Sequence, residues 1–127
     1  MWPSHLKGEY MPALTKDDIL QARDLGNVEP VEVPEWGGTV YVRTMTGIEQ
    51  DTYDREMYFI DEEDTVVMKR ENIREKLLVR TLCDENGNRI FSDGDVALLA
   101  DKSAAAIRRL SEVAQRLNGM DGKPGRD

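Results

Sequence analysis

The chain has 127 residues, of which 39% are hydrophobic and 33% charged, and its formal net charge is −8. This length suits one domain with a single hydrophobic core. The acidic balance argues against general binding to nucleic-acid backbones, which requires clustered Lys and Arg. The single cysteine, Cys83, excludes an intrachain disulfide, no apolar run reaches the length of a membrane span, and the N-terminus lacks the features of a signal peptide. We therefore expect a soluble cytosolic protein.

The two ends of the chain differ in composition from its middle. Residues 1–13 contain prolines and show no hydrophobic period, and residues 120–127 are polar and contain glycine and proline. We expect a flexible N-terminal segment over 1–13, a single α+β domain over 14–119 and a disordered tail over 120–127. The alternative for the N-terminal segment is docking on the domain through its large apolar side chains, Trp2, Tyr10 and Met11.

A first short helix is predicted over residues 15–25. Thr15 is a suitable N-cap, and Asp17 and Asp18 follow it at the positive end of the helix dipole. Gly26-Asn27 is a typical helix end. The apolar positions of this helix form a narrow stripe, which consists of Ile19, Ala22 and Leu25.

The stretch Val31–Glu49 predicts a β-hairpin that leads directly into a helix. Pro34 ends the strand pairing, and Gly37-Gly38 can adopt the positive φ that a tight reversal needs. Thr46 and Glu49 then have the spacing of a capping box at a helix start. Apolar or β-branched positions alternate with others on both sides of the turn, as a strand requires: Val31, Val33, Val40, Val42 and Thr44.

The helix that follows is predicted over residues 47–60. Tyr53, Met57 and Ile60 fall on one face of it at helical spacing. Tyr58 and Phe59 widen the apolar surface beyond that face. They either pack into the core near the helix end or form a partner-binding patch.

Four consecutive acids, Asp61 to Asp64, come next. No defined calcium-loop motif surrounds them, so we interpret them as a solvated linker between two helices rather than as a metal site. The second helix begins at Thr65 or Arg70 and runs to Leu82, and the sequence leaves open whether a break separates the two helices. Its apolar side consists of Ile73, Leu77, Leu78, Thr81 and Leu82.

A polar turn is predicted around Asn86-Gly87, with a few ladder bonds on either side. The preceding Cys83 is interpreted as a small buried hydrophobic residue. Asp84 and its neighbours superficially match the start of a calcium loop, but glycine occupies the fourth position of the loop instead of the sixth. We therefore predict a turn without a metal.

The remaining elements are helical. Ser92–Asp95 caps a short helix that carries Val96–Ala100, and Asp101–Ser103 interrupts it and caps the last helix, Ala104–Leu117. Asn118-Gly119 ends that helix. The predicted fold class is α+β: a small β-hairpin or antiparallel sheet, with room for a third short strand, packed against four to five mostly short helices.

Nothing in the sequence points to catalysis. The chain has no phosphate-binding glycine loop and no His/Cys cluster for zinc, and its single histidine, His5, lies in the N-terminal segment. Carboxylates are numerous, but no pair is distinguished from an acidic solvated face. We predict no catalytic residue, no cofactor site and no metal site.

Two groups of residues, taken in their order and spacing, carry a resemblance to a known family. The first comprises Pro34–Gly38, Val40–Arg43 and Thr46-Gly47, and the second Leu82, Asp84–Phe91, Asp95-Val96, Ser103–Ala105, Leu110 and Leu117–Gly119. Together they resemble the tail assembly chaperones of long-tailed, siphovirus-type bacteriophages and prophages. The resemblance covers about Leu14 to Gly119.

The resemblance implies a non-enzymatic role in virion morphogenesis. A protein of this family is expected to coat the tape measure protein and keep it soluble until tail tube protein polymerises around it. It would act in the host bacterial cytoplasm and be absent from the mature virion. In many such phages a longer frameshifted form engages the tail tube protein, and this sequence would correspond to the shorter form.

Candidate partner-binding residues are the aromatic side chains Trp36, Tyr58 and Phe59, on a body whose net charge keeps it soluble. Trp36 either anchors a partner or folds back onto a neighbouring helix. Repeated binding along a rod-shaped client also favours a homo-oligomer. The alternatives to a chaperone are a structural head–tail connector or minor tail component, and a regulatory or adaptor domain unrelated to phage.

Overall fold

The computed structural model describes residues 11–25 and 28–120. Five helices and five short strands lie in this part of the chain, which confirms the predicted α+β class. Short 3₁₀ turns occupy Pro34–Trp36 and Asp93–Asp95. The elements in chain order are α1 (Lys16–Gln21), β1 (Glu29–Val33), β2 (Gly38–Val42), α2 (Gly47–Met57), β3 (Tyr58–Ile60), β4 (Val66–Met68), α3 (Ile73–Thr81), β5 (Leu82–Cys83), α4 (Val96–Ala100) and α5 (Ala104–Leu117).

The predicted hairpin supplies two strands of a three-stranded antiparallel sheet with the order β1-β2-β5, in which β2 is central. Its register runs from Glu29 opposite Val42 to Val33 opposite Gly38, so pairing ends immediately before Pro34 as predicted. The third strand, β5, is only two residues long and pairs with the end of β2. The sheet therefore has one buried face, on which the helices pack.

The turn of this hairpin corrects one detail of the sequence prediction. Gly37 has a φ of 76°, whereas Gly38 does not adopt a positive φ. The reason is the 3₁₀ turn, in which the Gly37 N–H donates to the Pro34 carbonyl at 3.1 Å and completes the reversal. Gly38 is already the first residue of β2.

The core lies between the sheet and helices α3 and α5, which pack against each other. Helix α5 has the predicted bounds, and its Ser103 hydroxyl accepts the Ala106 N–H at 3.3 Å. Cys83 is buried, as expected of a small hydrophobic residue. The core side chains include Val31, Val33, Val42, Tyr53, Met57, Leu77, Leu78, Leu82, Ile107, Leu110 and Ala114.

The predicted helix over 47–60 is too long, because α2 ends at Met57 and residues 58–60 form β3. The next helix starts only at Ile73, and residues 66–68 form β4. Both segments consist of β-branched, aromatic and Met side chains, which favour strands. The acidic run between them is a hairpin turn and not a linker between helices. Ile60 is consequently exposed and does not share the buried face of Tyr53 and Met57.

Helix α1 is shorter than predicted, although its capping box at Thr15 and Asp18 forms as expected. It ends at Gln21, and its predicted apolar stripe is not buried, since Ile19 is exposed. The proposed stop at Gly26-Asn27, the side chains of Trp2 and Tyr10, and residues 121–127 lie outside the described residues. Met120, the first residue of the predicted tail, packs against the core.

Candidate protein-interaction surface

The β3–β4 hairpin presents an apolar face to solvent. Tyr58 lies opposite Met68, and Ile60 lies opposite Val66. Directly opposed residues of an antiparallel pair share a face, and positions two apart along a strand do so as well. These four side chains therefore form one surface, which we call the hairpin face. Their exposed fractions are 45% for Tyr58, 39% for Met68, 68% for Ile60 and 66% for Val66.

The opposite face of the same hairpin carries Phe59 and Val67. Phe59 is also exposed, and the Lys69 ammonium lies 5.8 Å from the centre of its ring. This geometry is a cation–π contact, which partly shields the ring. The structure thus brings the predicted site residues Tyr58 and Phe59 into one hairpin but on its two opposite faces.

The turn of the hairpin is ordered by its own first residue. One carboxylate oxygen of Asp61 accepts the N–H groups of Glu63 and Thr65, each at 2.9 Å. The Asp61 N–H donates to the Thr65 carbonyl at 3.0 Å. Asp64 adopts a positive φ of 61°, which Asp tolerates better than most residues do. The acidic run therefore sits in a defined position at the tip of the hairpin.

The base of the hairpin is attached to the body by a chain of ion pairs. The Glu56 carboxylate lies 2.8 Å from the buried Arg80, and the Met57 carbonyl accepts the Lys69 N–H at 2.6 Å. Arginines and carboxylates alternate along this chain in the order Arg43, Glu49, Arg89, Asp93, Arg80 and Glu56. We refer to these residues as the ion-pair chain.

The ion-pair chain stabilises charged carboxylates. Burial raises the pKa of Glu49, but the Thr46 N–H and the guanidinium groups of Arg43 and Arg89 outweigh this effect and hold the pKa below its ordinary value. The Arg89 hydrogen bond and the neighbouring Arg80 likewise lower the pKa of Asp93 against a smaller burial effect. Because each charge is paired, this cluster has the character of a structural element rather than of an acid–base site.

Trp36 does not belong to the hairpin face. It lies in the 3₁₀ turn between β1 and β2, is partly buried and packs against the core, which is the folded-back alternative for this side chain. The adjacent Glu35 forms a bidentate pair with Arg109 of α5, with both distances 2.9 Å. That pairing lowers the pKa of Glu35 to about 2. The role of Trp36 in partner binding stays a prediction.

Sequence reasoning missed three members of the hairpin face, namely Ile60, Val66 and Met68. Two short apolar runs, Tyr58–Ile60 and Val66–Met68, lie on either side of the four acids. If the acids are interpreted as a turn, this pattern predicts a β-hairpin. The helical spacing of Tyr53, Met57 and Ile60 favoured a helix over residues 58–60 instead of a strand.

The described residues contain no group of three or more His, Cys, Asp or Glu side chains placed to hold a metal ion. Within the same ranges, no helix has the length and apolar character needed to cross a membrane. Burial raises the pKa of the Cys83 thiol, which keeps it protonated and unreactive. The exposed apolar side chains of the hairpin form a surface that is suited to binding a protein partner.

A family model described as phage tail assembly chaperone matches residues 16–123, well over half of the chain. The chain belongs to the phage tail assembly chaperone family. This result confirms the resemblance found in the sequence. The chaperone also has the fold of a solved structure, the tail assembly chaperone of bacteriophage HK97, with a TM-score of 0.53 and 21% sequence identity. That match covers 72% of this chain and 84% of the HK97 chain, and no curated protein matches.

The family is one of chaperones and not of enzymes. For this tail assembly chaperone, the structure adds a specific surface to that description. The hairpin face is apolar and exposed, and it lies next to an ordered acidic turn. The buried Arg80 pairs with Glu56, two residues before the hairpin. Such a face can bind an apolar segment of another protein by removing it from water.

Proposed function

We propose that this chaperone binds the tape measure protein and keeps it soluble until the tail tube polymerises, and that the hairpin face makes the contact. The observation that supports this most directly is the exposed apolar face of Tyr58, Ile60, Val66 and Met68 in a member of a tail assembly chaperone family. A monomeric soluble protein rarely leaves such side chains together in water without a partner.

The charge of the protein supports the same role. A chaperone that covers apolar client segments has to remain dispersed while its own apolar surface is exposed. The net charge of −8 opposes aggregation of the chaperone itself. A complex between this charged protein and an apolar client segment should therefore stay soluble, because the apolar surfaces of both are covered and the charges of the chaperone face the solvent.

The finer parts of the proposal follow the family. The chaperone is a non-enzymatic protein of the host cytoplasm that is absent from the mature virion, and several copies act along one client as a homo-oligomer. A longer frameshifted form would bring the tail tube protein to the complex. Trp36 and Phe59 are proposed as secondary contacts, since both keep part of their apolar surface exposed.

Co-expression with the tape measure protein tests the proposal. The wild-type chaperone should recover the client in the soluble fraction as a complex, whereas Ile60→Asp/Val66→Asp should leave the client insoluble. Both substituted side chains are exposed, so the variant should fold normally. Ile48→Asp/Leu98→Asp is the matched control, because it also places two carboxylates on exposed apolar residues, both outside the hairpin.

Light scattering of the purified complex would give the number of chaperone copies per client. The thermal unfolding midpoint of each variant would show that the fold is retained. A client that stays insoluble beside the wild-type chaperone would contradict the proposal. Recovery of the chaperone in purified virions would favour a head–tail connector or minor tail component instead.

A further inference from the structure

We infer that the hairpin face selects helical client segments that carry Lys or Arg beside their apolar stripe. This inference rests on the proposed function and names the chemistry of the segment that is bound. It is based on the size of the hairpin face and on the acidic turn at one end of it.

The hairpin face has about the dimensions of one turn of a helix, whose pitch is about 5.4 Å. Its two strands lie about 5 Å apart, and residues 58 and 60 are about 7 Å apart along the strand. Side chains three and four positions apart on a helix are separated by about 5–6 Å and form an apolar patch of matching size. An extended segment would add to an edge of the hairpin and would leave this face uncovered.

The charged side chains in the turn at the tip of the hairpin are all acidic, whereas its base carries charges of both signs, including Glu56, Lys69 and Arg70. The tip holds Asp61 to Asp64, which lie between β3 and β4, and the three acids after Asp61 are all exposed. Lys69 and Arg70 follow β4 at the opposite end of the hairpin. A bound helix gains attraction where its Lys or Arg side chains lie near the tip.

The same charges argue against a second copy as the occupant of the face. Each copy carries a net charge of −8, so association of two copies through this region is opposed by repulsion. A basic apolar segment is attracted by the charge that repels another chaperone. The acidic turn therefore contributes to the solubility of the chaperone and also favours basic client segments over a second copy of the chaperone.

Two synthetic amphipathic helical peptides test the inference. They share one leucine stripe, and one carries Lys beside the stripe while the other carries Glu. Titrations of the full chain, followed by fluorescence anisotropy at low salt, should show about tenfold tighter binding of the Lys peptide. Ionic strength near 1 M shortens the screening length to about 3 Å and should remove most of this preference.

Glu62→Gln/Glu63→Gln should reduce the preference to about twofold or less. Glu85→Gln/Glu112→Gln is the matched control, because it removes the same charge from exposed positions outside the hairpin and should leave the preference unchanged. Ile60→Asp/Val66→Asp should abolish the binding of both peptides.

Equal binding of the two peptides, binding of neither, or an equal effect of the two Gln pairs would overturn the inference. A wild-type oligomer that dissociates on Ile60→Asp/Val66→Asp would also overturn it, since the face would then hold a second copy. If Glu62→Gln/Glu63→Gln solubilises the tape measure protein as well as the wild type does, the selectivity is wrong and the proposed function stands. If the wild type does not solubilise it, the proposed function itself fails.

Discussion

The Arg80 side chain is fully buried, although arginine is among the residues least often found in a protein interior. One guanidinium nitrogen donates to the Lys76 carbonyl at 2.8 Å, and another lies 2.8 Å from the Glu56 carboxylate. The Nε atom is buried without a hydrogen-bond partner. Because its carboxylate partners Glu56 and Asp93 stay partly exposed, most of the desolvation cost falls on Arg80 itself.

This imbalance leads to a prediction for Arg80. Replacement by Ala removes the packed stem and leaves a cavity, so the free energy of unfolding should fall by about 2–4 kcal/mol. Replacement by Met keeps most of the stem and removes the incompletely bonded guanidinium, so its effect should stay within about 1 kcal/mol. Urea denaturation of both variants measures this difference. An equal loss in the two would show that the ion pairs, and not the packing, stabilise this site.

At the scale of elements, the β1–β2 turn depends on one of its two glycines. Gly37 has a φ of 76° and Gly38 does not have a positive φ, while a Cβ at either position would meet nothing within 4 Å. Gly37→Ala should therefore lower the free energy of unfolding by about 1–2 kcal/mol through backbone strain alone. Gly38→Ala should be neutral or stabilise by about 0.5 kcal/mol. Thermal unfolding of the pair tests this, and a larger loss for Gly38→Ala would contradict the assigned turn.

Elements whose ends are fixed by local contacts were predictable from the sequence. The capping residues Thr15, Thr46 and Ser103 all act as expected, because a cap involves only atoms within a few residues of it. Helix α5 has the predicted bounds for the same reason, with its stop at Asn118-Gly119.

The hairpin face could not be predicted in the same way. A short apolar run such as Tyr58–Ile60 fits a helix end and a strand equally well, and only its pairing with Val66–Met68 decides between them. The exposure of these side chains depends on which elements cover them, which is a property of the tertiary structure. The sequence prediction places Ile60 on one helix face with Tyr53 and Met57 for this reason.

At the scale of the whole molecule, ion pairs connect elements that are distant in sequence. Glu29, the first residue of β1, pairs with Arg116 of α5, and Glu35, in the turn after β1, pairs with Arg109 of the same helix. The ion-pair chain similarly joins the start of α2 to α3 and to the segment after β5. Carboxylates on the sheet and on the helices thus hold elements together that are distant in sequence.

The stability of the protein should therefore fall in acid. The pKa values of Glu49 and Asp93 are lowered on folding, and that of Glu35 falls to about 2, so the unfolded chain binds protons more readily than the folded one. Their contribution is complete above about pH 5, where the unfolded chain is also ionised. It is lost as the pH falls through the lower values of the folded state.

Urea denaturation between pH 7 and pH 2 tests this expectation. Glu49→Gln/Asp93→Asn should lower stability at pH 7 and reduce the further loss in acid, because the folded chain then has fewer carboxylates to protonate. Glu85→Gln/Glu112→Gln is the control, because it removes two carboxylates that take part in none of these ion pairs. If the free energy of unfolding of Glu49→Gln/Asp93→Asn falls in acid by as much as that of the wild type, Glu49 and Asp93 do not cause the acid sensitivity.

The side chain of Asn118 joins the end of α5 to the segment between β2 and α2. Its Oδ1 accepts the Met45 N–H at 2.8 Å, between β2 and α2, and its Nδ2 donates to the Ala114 carbonyl at 2.8 Å. The segment that follows the β1–β2 hairpin is therefore held by a residue that is translated 73 positions after Met45. A ribosome that pauses within α5 holds a nascent chain whose sheet lacks its helical cover. Such a chain exposes its core to proteases and to neighbouring chains until synthesis has passed residue 118.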